Sequence, residues 1–272
     1  MKSSTTRIRR RVTLMAVATG SLFALSGCFP LVHFAEQAQG GPQDPPPAGE
    51  TAEDVPEGAA MLEANEGAIT GNISDGGEET VYFELSERSA VVLGAYSPDG
   101  GDLQMSLEGE GVSEFVDDAF PMFEAFSFNH QLSGLDPTIA HVLEAGTYQV
   151  DLTTYGGGSA DYVLELRAST ETISPGDETS VEWTADQAAV LIVDLETGTE
   201  VLETSSSSGD PKVWVAIPEM GLRDYDDDGG GSLEALVDFS DTHFGGGSAT
   251  EAVIIVRDYS PTTDGSTQLT LR

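Results

Sequence analysis

Basic residues are scarce in this chain, and cysteine is scarcer still. Its 272 residues carry 11 Lys or Arg against 47 Asp or Glu, a net charge of −36. Lys2, Arg7, Arg9, Arg10 and Arg11 all lie near the start, so from residue 28 onward 47 acids face 6 bases, a net charge of −41 with Lys212 the single lysine. A surface of that sign repels nucleic acid and anionic lipid headgroups, which excludes both as ligands. It attracts divalent cations and basic partners, and it suits a saline habitat, where screening shortens to about 3 Å at 1 M salt. The one cysteine, Cys28, excludes an intrachain disulfide, so stability must come from apolar cores, metal ions or both. No apolar run reaches the roughly 20 residues of a membrane-spanning helix. Also missing are a Gly-x-Ser-x-Gly elbow, a His-Glu-x-x-His helix and a phosphate-cradling glycine loop with its lysine. The histidines (His33, His130, His141 and His243) are scattered. The sequence thus favours a protein that is not an enzyme.

What is present begins with an address. The five early bases precede an apolar stretch, residues 12–25, of about 14 residues that ends in small side chains, the build of a secretory signal peptide. Leu25-Ser26-Gly27-Cys28 then resembles the lipobox of bacterial and archaeal lipoproteins. The resemblance implies cleavage before Cys28, a diacylglyceryl thioether on that sulfur and fatty acyl chains such as palmitate, hence a membrane anchor. Two or more chains hold a protein stably where one does so only marginally. Phe29 after the cysteine implies sorting to the outer membrane if the organism is diderm. An uncleaved signal anchor and a twin-arginine signal through Arg10-Arg11 are the alternatives.

Residues 28–65 read as a lipid-anchored disordered tether. Gly40-Gly41-Pro42 and Pro45-Pro46-Pro47 prevent regular structure, while Glu50, Glu53, Asp54 and Glu57 keep the segment solvated. A short helix is expected over 59–64. From Ile69 the pattern turns to period two. Val81, Phe83 and Leu85 alternate with polar or amphipathic neighbours, as do Leu103, Met105 and Leu107, then Tyr148, Val150 and Leu152, then Tyr162, Leu164 and Leu166. Such alternation predicts antiparallel sheet with one buried and one wet face. The expected class is all-β: two tandem antiparallel β-sandwiches, 66–168 and 169–272, after the tether.

Residues 69–167 resemble the bacterial pre-peptidase C-terminal domain, a β-sandwich appended to many secreted proteases. The likeness rests on Glu79-Thr80-Val81-Tyr82-Phe83-Glu84-Leu85, Gly101-Asp102-Leu103-Gln104-Met105-Ser106-Leu107, Leu143-Glu144-Ala145-Gly146-Thr147-Tyr148 and Asp161-Tyr162-Val163-Leu164-Glu165-Leu166. The segment 108–138, rich in phenylalanine, departs from it. Some members of that family bind calcium. The second half reads as a diverged copy: Glu178–Trp183 aligns with Glu78–Phe83, Ala189–Ile192 with Ala90–Leu93, and Leu269–Arg272 with Leu164–Arg167. An unrelated immunoglobulin-like or jelly-roll sandwich is the alternative there.

The candidate metal site is Asp224, Asp226, Asp228, Ser232 and Glu234. Asp-x-Asp-x-Asp-Gly is the first half of a calcium loop, in which alternate carboxylates converge on a hard cation. Ala235 stands where an EF-hand needs its bidentate Glu, so only a looser calcium loop fits, and a solvated acidic loop is the competing reading. Asp102 is a further candidate carboxylate at a strand end. Binding surfaces are sought at Trp214, which falls out of phase with Val213, Val215 and Ile217, and at Phe123 and Phe126, with core packing as the alternative for all three. The expected function is a non-catalytic envelope lipoprotein that binds a protein, a glycan or another envelope component, with calcium as candidate structural ion. A structural spacer without specific ligand and an extracellular hydrolase stand as alternatives.

Overall fold

Four long apolar runs, at residues 89–96, 189–193, 213–217 and 252–256, decide the architecture, because each becomes a strand with no wet face. In the computed structural model the described residues are 55–118, 126, 136–195, 201–220, 222–231, 233–240, 250–260 and 262–272. Residues 47–272 form one compact unit. The lipobox cysteine, the signal segment and most of the tether lie outside the described residues.

The first sandwich is built from β1 (Ala60–Met61), β2 (Ile69–Ile73), β3 (Glu79–Leu85), β4 (Ser89–Tyr96), β5 (Leu103–Gly109), β6 (Val112–Val116), β7 (Thr138–Leu143), β8 (Gly146–Thr154) and β9 (Ala160–Ser169). One sheet runs β1-β3-β8-β5-β6 and the other β2-β9-β4-β7. The second sandwich contains β10 (Thr172–Ile173), β11 (Glu178–Trp183), β12 (Ala189–Asp194), β13 (Val201–Ser208), β14 (Pro211–Ile217), β15 (Leu222–Asp226), β16 (Leu236–Asp238), β17 (Glu251–Asp258) and β18 (Gly265–Leu271). Its sheets run β10-β12-β17-β14-β15 and β11-β18-β13-β16. The protein is all-β, as its alternating runs predict.

Each sandwich has its own core. Val81, Phe83, Leu93, Leu103, Tyr148 and Leu164 meet in the first, and Val181, Trp183, Leu191, Val215, Ile254 and Leu269 in the second. A third core lies between the sandwiches. Ala90 and Val92 of β4 and Ala140 and Val142 of β7 pack, with Phe126, against Val190 and Ile192 of β12, Trp214 and Ala216 of β14, and Val253 and Ile255 of β17. The stack is therefore four sheets deep, and the strands β4, β12, β14 and β17 of its two inner sheets are buried on both faces. This corrects the expected wet face: near-continuous apolar runs are what strands covered on both sides require. Gly94 of β4 belongs to the same seam, since a Cβ there would lie 2.3 Å from the Phe126 ring.

Charged side chains are buried at this seam too. Glu165 and Arg167, on the face of β9 opposite its core residues Leu164 and Leu166, are 0% and 3% exposed and form an ion pair. Arg257 of β17 is 1% exposed and donates to the Ala185 carbonyl. Burial, then the neighbouring Arg257 charge, lowers the Arg167 guanidinium to about 10. Arg88, just before β4, pairs with Glu251 and approaches Asp194 at 3.6 Å, both in the second sandwich, and Glu144 at 3.7 Å in its own. Among the described residues Arg88 thus ties one sandwich to the other, while Arg167 and Arg257 are held by partners within their own sandwiches.

Two further expectations change. Residues 59–64 form no helix: Ala60 and Met61 pair in parallel with Val81 and Tyr82, and Leu62 is buried in the first core. Ordered structure therefore begins inside the segment read as tether. The segments aligned within the chain occupy corresponding strand positions at the near end and different ones at the far end. The strand orders β3-β8-β5-β6 and β11-β18-β13-β16 coincide under β3/β11 and β8/β18, and β4/β12 both follow in the opposite sheet. Leu269–Arg272 aligns in sequence with β9, yet β18 occupies the position of β8. The motif Leu-x-Leu-Arg matches only because both strands bury alternate leucines.

Candidate functional site

The β5–β6 hairpin builds the most concentrated group of carboxylates. Gly109, Glu110 and Gly111 turn with φ values of 146°, 25° and 83°, so the strands close back at once. Met105 then pairs with Val116, which leaves Asp102 and Asp117-Asp118 together at the hairpin's open end. Ligand oxygens of these three aspartates lie within 4.8 Å of one another. The Oδ1 atoms of Asp102 and Asp117 are inaccessible and have no hydrogen-bond partner among the described residues. Burial raises the Asp102 carboxyl above its ordinary range, and the charges of Asp117, Asp118 and Asp136 raise it further. Carboxylates crowded this way accept a hard cation such as calcium through oxygen ligands. Sequence reading found Asp102 alone; the signal for its partners was the Gly-Glu-Gly turn that folds the two ends together.

The loop expected to bind calcium is used differently. Asp226 Oδ2 accepts the backbone N–H groups of Gly229 and Leu236, each at 2.8 Å, and so closes the turn after β15. Glu234 turns toward β13, where its Oε2 accepts from Thr204 at 2.9 Å and Ser207 at 2.7 Å. Asp224 Oδ1 accepts the N–H of Tyr225. Among the described residues Asp224, Asp226, Asp228 and Glu234 do not form a convergent ligand group, and Ser232 lies outside those residues. The alternating spacing serves a turn and a sheet rather than a common centre.

The aromatic candidates also move. Trp214 does point away from Val213, Val215 and Ile217, as its phase predicts, but the first sandwich covers that face and leaves it 1% exposed. Phe126 is wholly buried in the same seam, and Phe123 lies outside the described residues. Neither Trp214 nor Phe126 is a binding surface. The exposed rings are elsewhere: Tyr225 and Tyr259 flank Lys212, whose Nζ lies 4.1 Å and 5.8 Å from their centroids and 4.7 Å from that of Trp214. His141 is half-buried with Nδ1 2.7 Å from the Val142 carbonyl oxygen; His33, His130 and His243 lie outside the described residues.

No protein-family model matches the chain, and the search of curated proteins finds no match. Among solved structures, the pre-peptidase C-terminal domain of a Bacillus anthracis collagenase aligns at 15% identity and a TM-score of 0.32, over 42% of this chain and all of that one. A periplasmic inhibitor of g-type lysozyme from Salmonella Typhimurium aligns at 15% identity and a TM-score of 0.28, over 41% of this chain and 98% of its own.

Proposed function

We propose that this chain is an exported lipoprotein, anchored through Cys28 to the cell envelope, whose double sandwich is a rigid, non-catalytic binding module for an envelope protein or glycan. The observation that supports it is the seam: two sandwiches joined by a third apolar core present fixed outer surfaces. The lipobox-like string and the proline-rich tether ahead of the folded unit fit display at a distance from the membrane. Fractionation of expressing cells tests the anchor. The unaltered chain pellets with membranes and incorporates labelled palmitate, whereas Cys28→Ala does neither. Equal recovery of both forms in the membrane pellet overturns lipid anchoring.

In this reading calcium is a structural ion held by Asp102, Asp117 and Asp118. At 100 times its dissociation constant it stabilises the fold by about 2.7 kcal/mol, and Asp117→Asn abolishes the effect in thermal unfolding at matched ionic strength. The pH dependence has a definite sign. Because the folded Asp102 carboxyl is raised, the metal-free fold gains stability as pH falls toward the carboxylate range and loses it as pH rises. Calcium reverses that slope. An unchanged midpoint in calcium, or equal effects of calcium on the Asn variant, removes the ion from the account.

A further inference from the structure

The β14–β15 edge of the second sandwich presents aromatic rings and negative charge together. Trp214 of β14 pairs with Tyr225 of β15, and Lys212, two residues before Trp214, brings its ammonium over both rings and Tyr259. Trp214 is buried beneath, while Tyr225 and Tyr259 are 43% and 59% exposed. The arrangement already holds one cation against ring faces and leaves the outer rings open. The backbone locks it in place, since the Tyr259 N–H donates to the Asp210 carbonyl at 2.6 Å and Asp258 Oδ2 accepts the Asp210 N–H at 3.0 Å.

Acidic residues lie along the same edge, with Asp210 and Asp258 joined to the backbone next to Tyr259. Burial raises the Asp210 carboxyl, and Asp228, Asp258, Asp227 and Glu234 raise it further, so five carboxylates share one field beside Tyr259. On the face of β15 opposite the Tyr225 ring a cleft of about 200 Å³ opens, with Asp224, Asp226 and Asp238 around an apolar floor of Val215, Leu236 and Val237, so it adds negative charge to this edge without touching the stacking face. A guanidinium can stack on a tyrosine face and also carries the positive charge that the neighbouring carboxylates call for.

We infer that this edge is a docking surface for an arginine-rich polypeptide segment, with Tyr225 and Tyr259 as its anchoring rings and the aspartates along the same edge as its charge complement. The inference deepens the binding-module reading and rests on it. Arginine side chains of the partner stack outside the two tyrosines while Lys212 keeps the inner position.

The probe is a hexa-arginine peptide titrated against the full-length chain in nonionic detergent micelles at physiological ionic strength. Tyr225→Ala with Tyr259→Ala leaves the net charge unchanged, so diffuse attraction to an acidic protein survives while ring contacts are lost. The double variant binds about tenfold more weakly, and Tyr155→Ala, which removes a 65%-exposed tyrosine from the other sandwich, binds as the unaltered chain does. Tyr225→Leu with Tyr259→Leu, which keeps apolar bulk without a ring, shows the same loss and covers the case in which the alanine form folds poorly. Equal affinities across all forms, or equal weakening by Tyr155→Ala, overturn the proposal in favour of diffuse charge. No binding of the peptide at all also overturns it, while membrane fractionation of Cys28→Ala judges the broader reading separately.

Discussion

Arg167→Ala is expected to lower the free energy of unfolding by about 3–5 kcal/mol, the usual cost of stripping one partner from a buried ion pair. Arg167 is 3% exposed and Glu165 is fully buried, so the remaining carboxylate faces a low-dielectric seam. The setting raises the stakes. Residues 66–168 hold 19 acids against 2 bases and residues 169–272 hold 21 against 4, so two bodies of charge −17 each are pressed face to face. Arg88, Arg167 and Arg257 are the positive charges at that contact. Denaturant unfolding of the variant gives the loss directly. Arg167→Met paired with Glu165→Leu removes both charges and keeps apolar volume, and it recovers most of the stability, because replacing a whole buried pair is often neutral or better. A loss below about 1 kcal/mol for Arg167→Ala, the range of exposed pairs, contradicts burial of the pair.

Trp214→Ala comes next in size, at about 3–5 kcal/mol for emptying a large buried aromatic site. The ring fills the seam against the first sandwich rather than either sandwich's own core. Its loss therefore weakens the contact between the bodies more than the bodies themselves. Heating the unaltered chain gives one transition, and heating Trp214→Ala separates the sandwiches into two. Trp214→Phe costs much less, because Trp214 Nε1 has no acceptor among the described residues and only volume is given up. The alanine form also removes the floor under Lys212, so cationic peptide binding falls with it. An alanine variant that keeps a single transition at nearly the original midpoint contradicts the seam's energetic role.

The alternating runs were legible because one buried face imposes period two: Val81, Phe83 and Leu85, or Tyr148, Val150 and Leu152, identify their strands without further information. The seam was also written in the sequence, in a different pattern. Ser89–Tyr96 and Ala252–Val256 carry small and β-branched side chains at successive positions, which only two-sided burial explains. A wet face was nevertheless expected for every sheet. Trp214 shows how phase can be right and exposure wrong: alternation assigns the face, but what covers that face is a long-range fact. Asp224–Glu234 misled for a related reason. Carboxylate spacing along a loop resembles a ligand set, whereas Asp226 and Glu234 each find a nearer partner in backbone amides or hydroxyls. The Asp102 cluster needed the β5–β6 turn to bring distant residues together, so one member was visible and its partners were not.

Differential scanning calorimetry of the folded unit tests the central claim, that four stacked sheets form one body. At about 0.7 kcal/mol per residue near 60 °C, its 185 described residues absorb about 130 kcal/mol. A single peak whose van't Hoff enthalpy equals that calorimetric value is the predicted result. Two peaks, or one broad peak with a van't Hoff enthalpy near half the calorimetric one, would mean that the sandwiches melt independently, and the shared core would carry no cooperative weight.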